Sequence, residues 1–288
     1  MRILIKFLIL ISFIDFVNVY SANGNKLKYS ENQIDVGTLY IYELSKSESY
    51  NPQNIYMYIL SKDTVEVFMM GKRFNFSDIY VFDYNHMMIK SMKSDIVGMK
   101  KEDIIKKMKI YEMYDLRADV DFKNKTLKTR QTNFTKDGLK TSNEIKDLDE
   151  IPTYFYSSTT GLDVWFLLRF YPIESGNEIV VNYFHDNNNY KAMVEYEGRE
   201  QLDTKKGKVG SYKFKIYPDS FFWKLLAKKN YIWLSTDKNG PRYMVKYVNE
   251  NPLNAFQPRC EYNFVEKKVF SKTEWEKFKS MGSYNTEK

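Results

Sequence analysis

Cysteine, histidine, proline and glycine are scarce in this 288-residue chain: one, two, seven and twelve, respectively. A lone Cys260 excludes an intramolecular disulfide. His86 and His185 lie far apart in sequence, and no Cys/His cluster has zinc spacing, so no metal site and no cofactor is expected. No Gly-x-Ser-x-Gly occurs, and no Cys/His pair suggests a nucleophile. Gly207-Lys-Val-Gly210 is too short, and lacks the helix, for phosphate binding. Linkers, low-complexity runs and strong internal repeats are also missing. The formal charge is +7, of which Arg2, Lys6 and Asp15 contribute a net +1 in the first 21 residues. The remaining charge is spread evenly, with lysines beside acidic residues. No basic stripe or motif of a nucleic-acid binder appears.

The first 21 residues hold a short basic start and an apolar core within Met1–Ile14, and Val19-Tyr-Ser21 at the positions a signal peptidase reads. This pattern reads as a secretory signal peptide cleaved after Ser21, too short for a membrane span and without a stop-transfer pattern. A retained signal anchor is the alternative. No later segment is long and apolar enough to cross a bilayer as a helix. The expected protein is therefore exported, periplasmic or in the cell envelope. A lone cysteine is compatible with that oxidising setting.

Aromatic residues are abundant: 24 Tyr, 20 Phe and 4 Trp. They recur with a period of two between turn signals, the pattern of half-buried antiparallel strands. The clearest run is Glu178–Val248. Its expected strands are 178–184, 190–196 and 211–217, with a hairpin of 231–235 and 241–247. Glu197-Gly198 and Thr204–Gly210 read as breaks. Upstream, strands are expected over 35–43, 55–60, 64–70, 79–84, 86–92, 117–122, 125–130 and 131–134. Leu162–Phe170 reads as a short buried helix ended by Pro172. Lys100–Tyr111 reads as an amphipathic helix, with Ile104, Ile105, Met108 and Tyr111 on one face. Ser220–Lys229 is helix-like, Cys260–Val265 is a last strand, and Thr273–Lys279 is a fraying tail. Together these predict a mainly β fold: one strongly bent antiparallel sheet or open β-barrel-like domain over 22–270, with a few short helices and a C-terminal tail over 271–288.

Several pieces follow in order between Ile151 and Tyr247: Asp163-Val-Trp-Phe-Leu-Leu-Arg169, Pro172-Ile-Glu-Ser-Gly176, Tyr190–Glu200, Gly210–Pro218, and the hairpin Trp233-Leu-Ser-Thr-Asp237 with Pro241. In these the chain resembles the bacterial domain-of-unknown-function family numbered 3108. The resemblance implies an exported, β-rich envelope protein. It brings no assigned reaction and so no catalytic residue.

Three functions remain open. The leading one is non-enzymatic: an apolar or amphiphilic ligand, such as a lipid, bound in a concave sheet, or an interaction module. Trp165, Phe166, Trp223 and Trp233 are the candidate lining residues, and the architecture would resemble that of lipoprotein carriers. The second is an enzyme acting on an envelope polymer. Asp119 and Asp121, two apart on one strand face, would be its acid/base pair; a salt-bridging face with Lys123 and Lys125 is the structural alternative. The third is a basic module binding anionic lipid or polymer through Lys100, Lys101, Lys106, Lys107 and Lys109. In the hairpin, Trp233 reads chiefly as a core anchor, Asp237 and Gly240 as turn formers, and Pro241 as the start of the return strand.

Overall fold

The computed structural model describes residues 27, 29–47, 54–71, 73–109, 112–147, 155–157, 162–173, 178–185, 188–218, 229–237, 240–250 and 260–282. Fifteen strands form one sheet that does not close into a barrel. The first meander runs β1 (Thr38–Ser47), β2 (Asn54–Ile59), β3 (Thr64–Met70), β4 (Asn75–Asp83), β5 (Met88–Val97), β6 (Met113–Asp121), β7 (Thr126–Thr135) and β8 (Gly138–Asp147). The second runs β9 (Phe155–Ser157), β10 (Ile179–His185), β11 (Asn188–Thr204), β12 (Gly207–Pro218), β13 (Lys229–Ser235), β14 (Met244–Glu250) and β15 (Cys260–Val269). They join where β1 pairs with β15, the first strand against the last. Every pairing is antiparallel except the parallel one of β9 with β10.

The period-two pattern decides which side chains go inward. On β1, Tyr40 and Tyr42 enter the main core while Leu39 points the other way; on β3, Val65, Val67 and Met69 enter and Phe68 does not. Phe214, Ile216, Ile232, Leu234, Tyr262 and Phe264 reach the same core from the second meander. The sheet thus folds both halves of its inner face around one interior, and β9 comes to lie against β5.

That interior holds α2 (Leu162–Leu168), the expected buried helix, whose Val164, Phe166, Leu167 and Leu168 are all buried. Phe166 packs 4.6 Å from Phe82 of the first meander, and Tyr171 packs 5.0 Å from Phe214 of the second. A second helix of the same length, α1 (Lys101–Lys107), buries Ile104 and Met108 against Phe74, Phe76 and Ile96.

The C-terminal tail corrects an expectation. It does not fray: Lys272–Gly282 forms α3, whose Trp275 is fully buried against the outer face of β1–β3. Ser271 caps the helix, accepting the Glu274 N–H at 3.2 Å, while Glu274 accepts the Ser271 N–H at 2.7 Å. This reciprocal box satisfies two donors that a helix start leaves open. Trp275 stacks on Tyr58 at 5.1 Å and donates its indole N–H to Glu66 at 2.6 Å. Glu66, itself buried, also accepts from Ser77 at 2.6 Å and pairs with Lys279 at 2.7 Å.

Three further expectations change. Glu197-Gly198 does not end a strand: β11 continues to Thr204, and Gly198 (φ +124°) forms a bulge where the β11–β12 register shifts. Only Lys205-Lys206 then separates β11 from β12, so the expected break over Thr204–Gly210 contracts to a tight turn. β8 adds a strand where none was expected. The signal peptide, Tyr111 and all of the helix-like Ser220–Lys229 except its last residue lie outside the described residues; Lys229 opens β13.

Removing the Trp275 side chain opens the outer core and takes one donor from buried Glu66. Trp275→Ala should cost about 3–5 kcal/mol, read as a lower urea midpoint. Trp275→Phe, which keeps the ring but loses the N–H, should fall between it and the native protein.

Candidate functional site

Of the four aromatic residues expected to line one ligand site, the two whose side chains are described, Phe166 and Trp233, lie apart. Phe166 lies in the interior, with Phe82 and Phe170 against it. Trp233 is buried on the opposite face of the sheet, in a small cluster with Val245 and Val248, because its neighbours Ile232 and Leu234 take the inward positions. Its indole N–H bonds Glu200, and Lys213 and Lys246 lie over its ring at 5.7 and 5.6 Å. Trp223 and the Trp165 side chain lie outside the described residues. Trp233 is thus a core anchor, as the hairpin reading had it, but of a satellite core. Asp237 is exposed in the turn and Pro241 is half-buried; β14 begins only at Met244.

Asp119 and Asp121 do not share a cleft either. Ala118 and Val120 take the inward positions of β6, so both carboxylates point to the outer face. Asp121 accepts from the backbone and side chain of Asn124 at 3.1 and 2.9 Å and lies 3.7 Å from Lys128. Asn124 chiefly holds its carboxyl below the usual range. The expected salt-bridging face is present, with Lys128 where Lys123 and Lys125 were expected. The five lysines around α1 are exposed, but the apolar side of that helix is spent on the sheet.

The chemistry that does converge lies around Arg169, at the C-terminal end of α2. Its side chain is completely buried and pairs with Asp35 at 3.2 Å. The guanidinium sits 4.9 Å from both the Tyr40 and Phe166 ring centres. The Tyr40 hydroxyl bonds the same Asp35. Burial opposes the charge, but Tyr40 and Asp35 outweigh it and hold Arg169 protonated above its ordinary value. A second arginine completes the knot. Arg242 Nη1 donates to the Arg169 and Tyr171 carbonyls at 3.1 and 2.6 Å, satisfying acceptors that a helix end leaves open. The Arg242 N–H also meets the Gln33 side-chain oxygen at 2.9 Å. The chain before β1, the end of α2 and the β13–β14 connection are tied at one point. Gly210 belongs to the same end: its carbonyl accepts the Thr236 N–H at 2.9 Å, and a Cβ there would lie 2.6 Å from Thr236 Oγ1.

The open feature is elsewhere. The tips of β11 and β12 reach over the outer face of β1, β14 and β15, pinned by Lys205–Glu43 at 2.6 Å and Lys206–Glu266 at 3.6 Å. Beneath them runs a groove of about 590 Å³. Leu202, Val245 and Phe264 give it apolar wall; Lys246, paired with Glu261 at 3.0 Å, and Asn263 give it polar wall. Both signs of charge line it. Among the described residues no group of three or more His, Cys, Asp or Glu is placed to hold a metal ion.

One further buried acid stands out. Asp78 is fully buried on the inner face of β4, near the Tyr80 hydroxyl at 3.1 Å. Burial pushes its carboxyl up to about 6, with the Ser94 and Tyr80 hydroxyls partly offsetting the rise.

Residues 114–256 match the family described as protein of unknown function (DUF3108). The matched segment begins in β6, well before Ile151 where the quoted motifs start, and includes Arg169, Gly210, Trp233 and Arg242. No curated protein matches the chain. No helix among the described residues is long and apolar enough to cross a membrane.

Two expected outcomes follow from the buried charges. Asp35→Ala strands the Arg169 guanidinium and should destabilise by about 3–5 kcal/mol, whereas Arg169→Met with Asp35→Leu should cost clearly less; chemical denaturation of both compares them. For Asp78, the folded-state pKa lies above the unfolded value of 3.8. The unfolded state therefore binds fewer protons between about pH 4 and 6, and stability contributed by the neutral form falls as pH rises through that window. Asp78→Asn should flatten this slope, a difference on the order of 3 kcal/mol across the window.

Proposed function

We propose that this chain is an exported β-sheet module of the bacterial envelope that acts by binding a partner on its outer face rather than by carrying a lipid inside the sheet. The observation that carries this reading is the place of α2. Phe166, Leu167, Leu168 and Tyr171 occupy the interior between the meanders, where a lipid carrier would need space. The groove beneath the β11–β12 tips, by contrast, is open and walled by apolar, polar and charged side chains together. Such a wall suits an extended peptide segment, which presents the same three kinds of group, better than an acyl chain. Export rests on the pattern of the first 21 residues. The non-enzymatic reading rests on the motifs missing from the sequence and on the outward placement of Asp119 and Asp121.

Native mass spectrometry of the protein purified from its own envelope, followed by lipid extraction, tests the choice. A mass equal to the processed chain, with no lipid released, is expected. A lipid at fixed stoichiometry would overturn the reading in favour of a carrier.

A further inference from the structure

The two ends of the sheet differ. At one end β9 is described over three residues, Phe155–Ser157. At the other, β8 is a full ten-residue strand, Gly138–Asp147, paired with β7 on one side only. Residues 140–145 are exposed, and Ile145 keeps 68 % of its surface in water. No proline or covering helix blunts this edge among the described residues, although Lys140, Glu144 and Lys146 alternate onto the face that Leu127 of β7 turns inward. Its charges, Lys140, Lys146, Glu144 and Asp147, cancel. A neutral, uninterrupted edge does not repel a second copy of itself.

We propose that β8 is a self-association edge, pairing antiparallel with β8 of a second copy and joining two fifteen-stranded sheets into one. A two-fold axis normal to the sheet allows only registers in which paired residue numbers add to an even total. With Ser142 on the axis, Lys140 lies opposite the partner's Glu144, Leu139 opposite the partner's Ile145, and Thr141 opposite the partner's Asn143. Each charge pair occurs twice. Shifting the axis to Asn143 sets Lys140 against the partner's Lys146, and shifting it to Glu144 sets two glutamates face to face. An axis at Ile145 would again set Glu144 against the partner's Lys146, but it overlaps only residues 143–147 of each β8, whereas the Ser142 register matches charge over residues 138–146. Within one copy, Lys140 and Glu144 face the neutral Asn133 and Thr129 of β7, and Lys140 pairs with Asp137 of the adjoining turn at 2.8 Å. Ile145 also gains a neighbour: the partner's Leu139 packs with Phe134 and the buried face of α1, and the pairing brings Ile145 to that patch. Because the contact is isologous and uses the β8 edge of both copies, association through it closes at the dimer.

Sedimentation equilibrium of the purified protein over a wide concentration range, with its charge variants, tests this. A reversible monomer–dimer equilibrium is expected. Lys140→Glu should weaken it about tenfold by setting like charges opposite, and adding Glu144→Lys should restore it. Hydrogen exchange of the native protein gives a readout that needs no variant: amides of 139–145 should slow as concentration rises. A chain that stays monomeric, a dimer indifferent to Lys140→Glu, or a double variant that fails to recover would each overturn the proposal.

Discussion

A guanidinium with no exposed surface is the constraint around which this fold is arranged. Arg169 ends the helix that fills the sheet, and its charge is tolerable there only because Asp35, Tyr40 and Phe166 surround it. Asp35 lies just before the first strand, Tyr40 in that strand, and Arg242 between two strands of the second meander. Satisfying one buried charge therefore fixes the helix against both halves of the sheet. Area burial alone would not do this, since apolar contacts are non-directional and leave the helix free to rotate. The guanidinium has one geometry, and it sets the azimuth of α2.

A second fixed point lies on the outer face. Glu66 sits in an apolar strand and would be costly to bury alone. It is matched by the Trp275 indole, the Ser77 hydroxyl and Lys279. Two carboxylates on opposite faces of the first meander, Glu66 and Asp78, thus meet different fates. The first finds three donors; the second meets the Ser94 and Tyr80 hydroxyls but no cation among the described residues to offset its burial, with the Asp95 carboxylate also acting on it, and its carboxyl is driven toward neutrality.

The architecture was largely legible in the sequence, because one inward face per strand leaves a period-two trace. β3 was read to the residue, and α2 was read from its apolar run and Pro172. The misses share a physical origin. β8 carries no such trace, because both its faces meet water. The Gly198 bulge reads like a turn, since a positive φ serves either purpose. The α3 helix was signalled by Ser271 and Glu274 at capping-box spacing, ahead of Trp275 and Phe278, but its polar composition resembles a free tail. The candidate site was less legible. Aromatic residues mark buried faces without saying which face, so Phe166 and Trp233, alike in sequence, lie on opposite sides. The Arg169 knot had a local signal, a charge closing the most apolar stretch, but its partners come from positions far apart in the chain.

The central claim is that both meanders and α2 form one cooperative unit tied through Arg169. Hydrogen exchange under increasing denaturant tests it most directly, by comparing the amides of β3 (Thr64–Met70) with those of β12 (Gly207–Pro218). Loss of protection at one common denaturant concentration is the result predicted. A first meander that keeps its protection after the second has lost it would contradict the account.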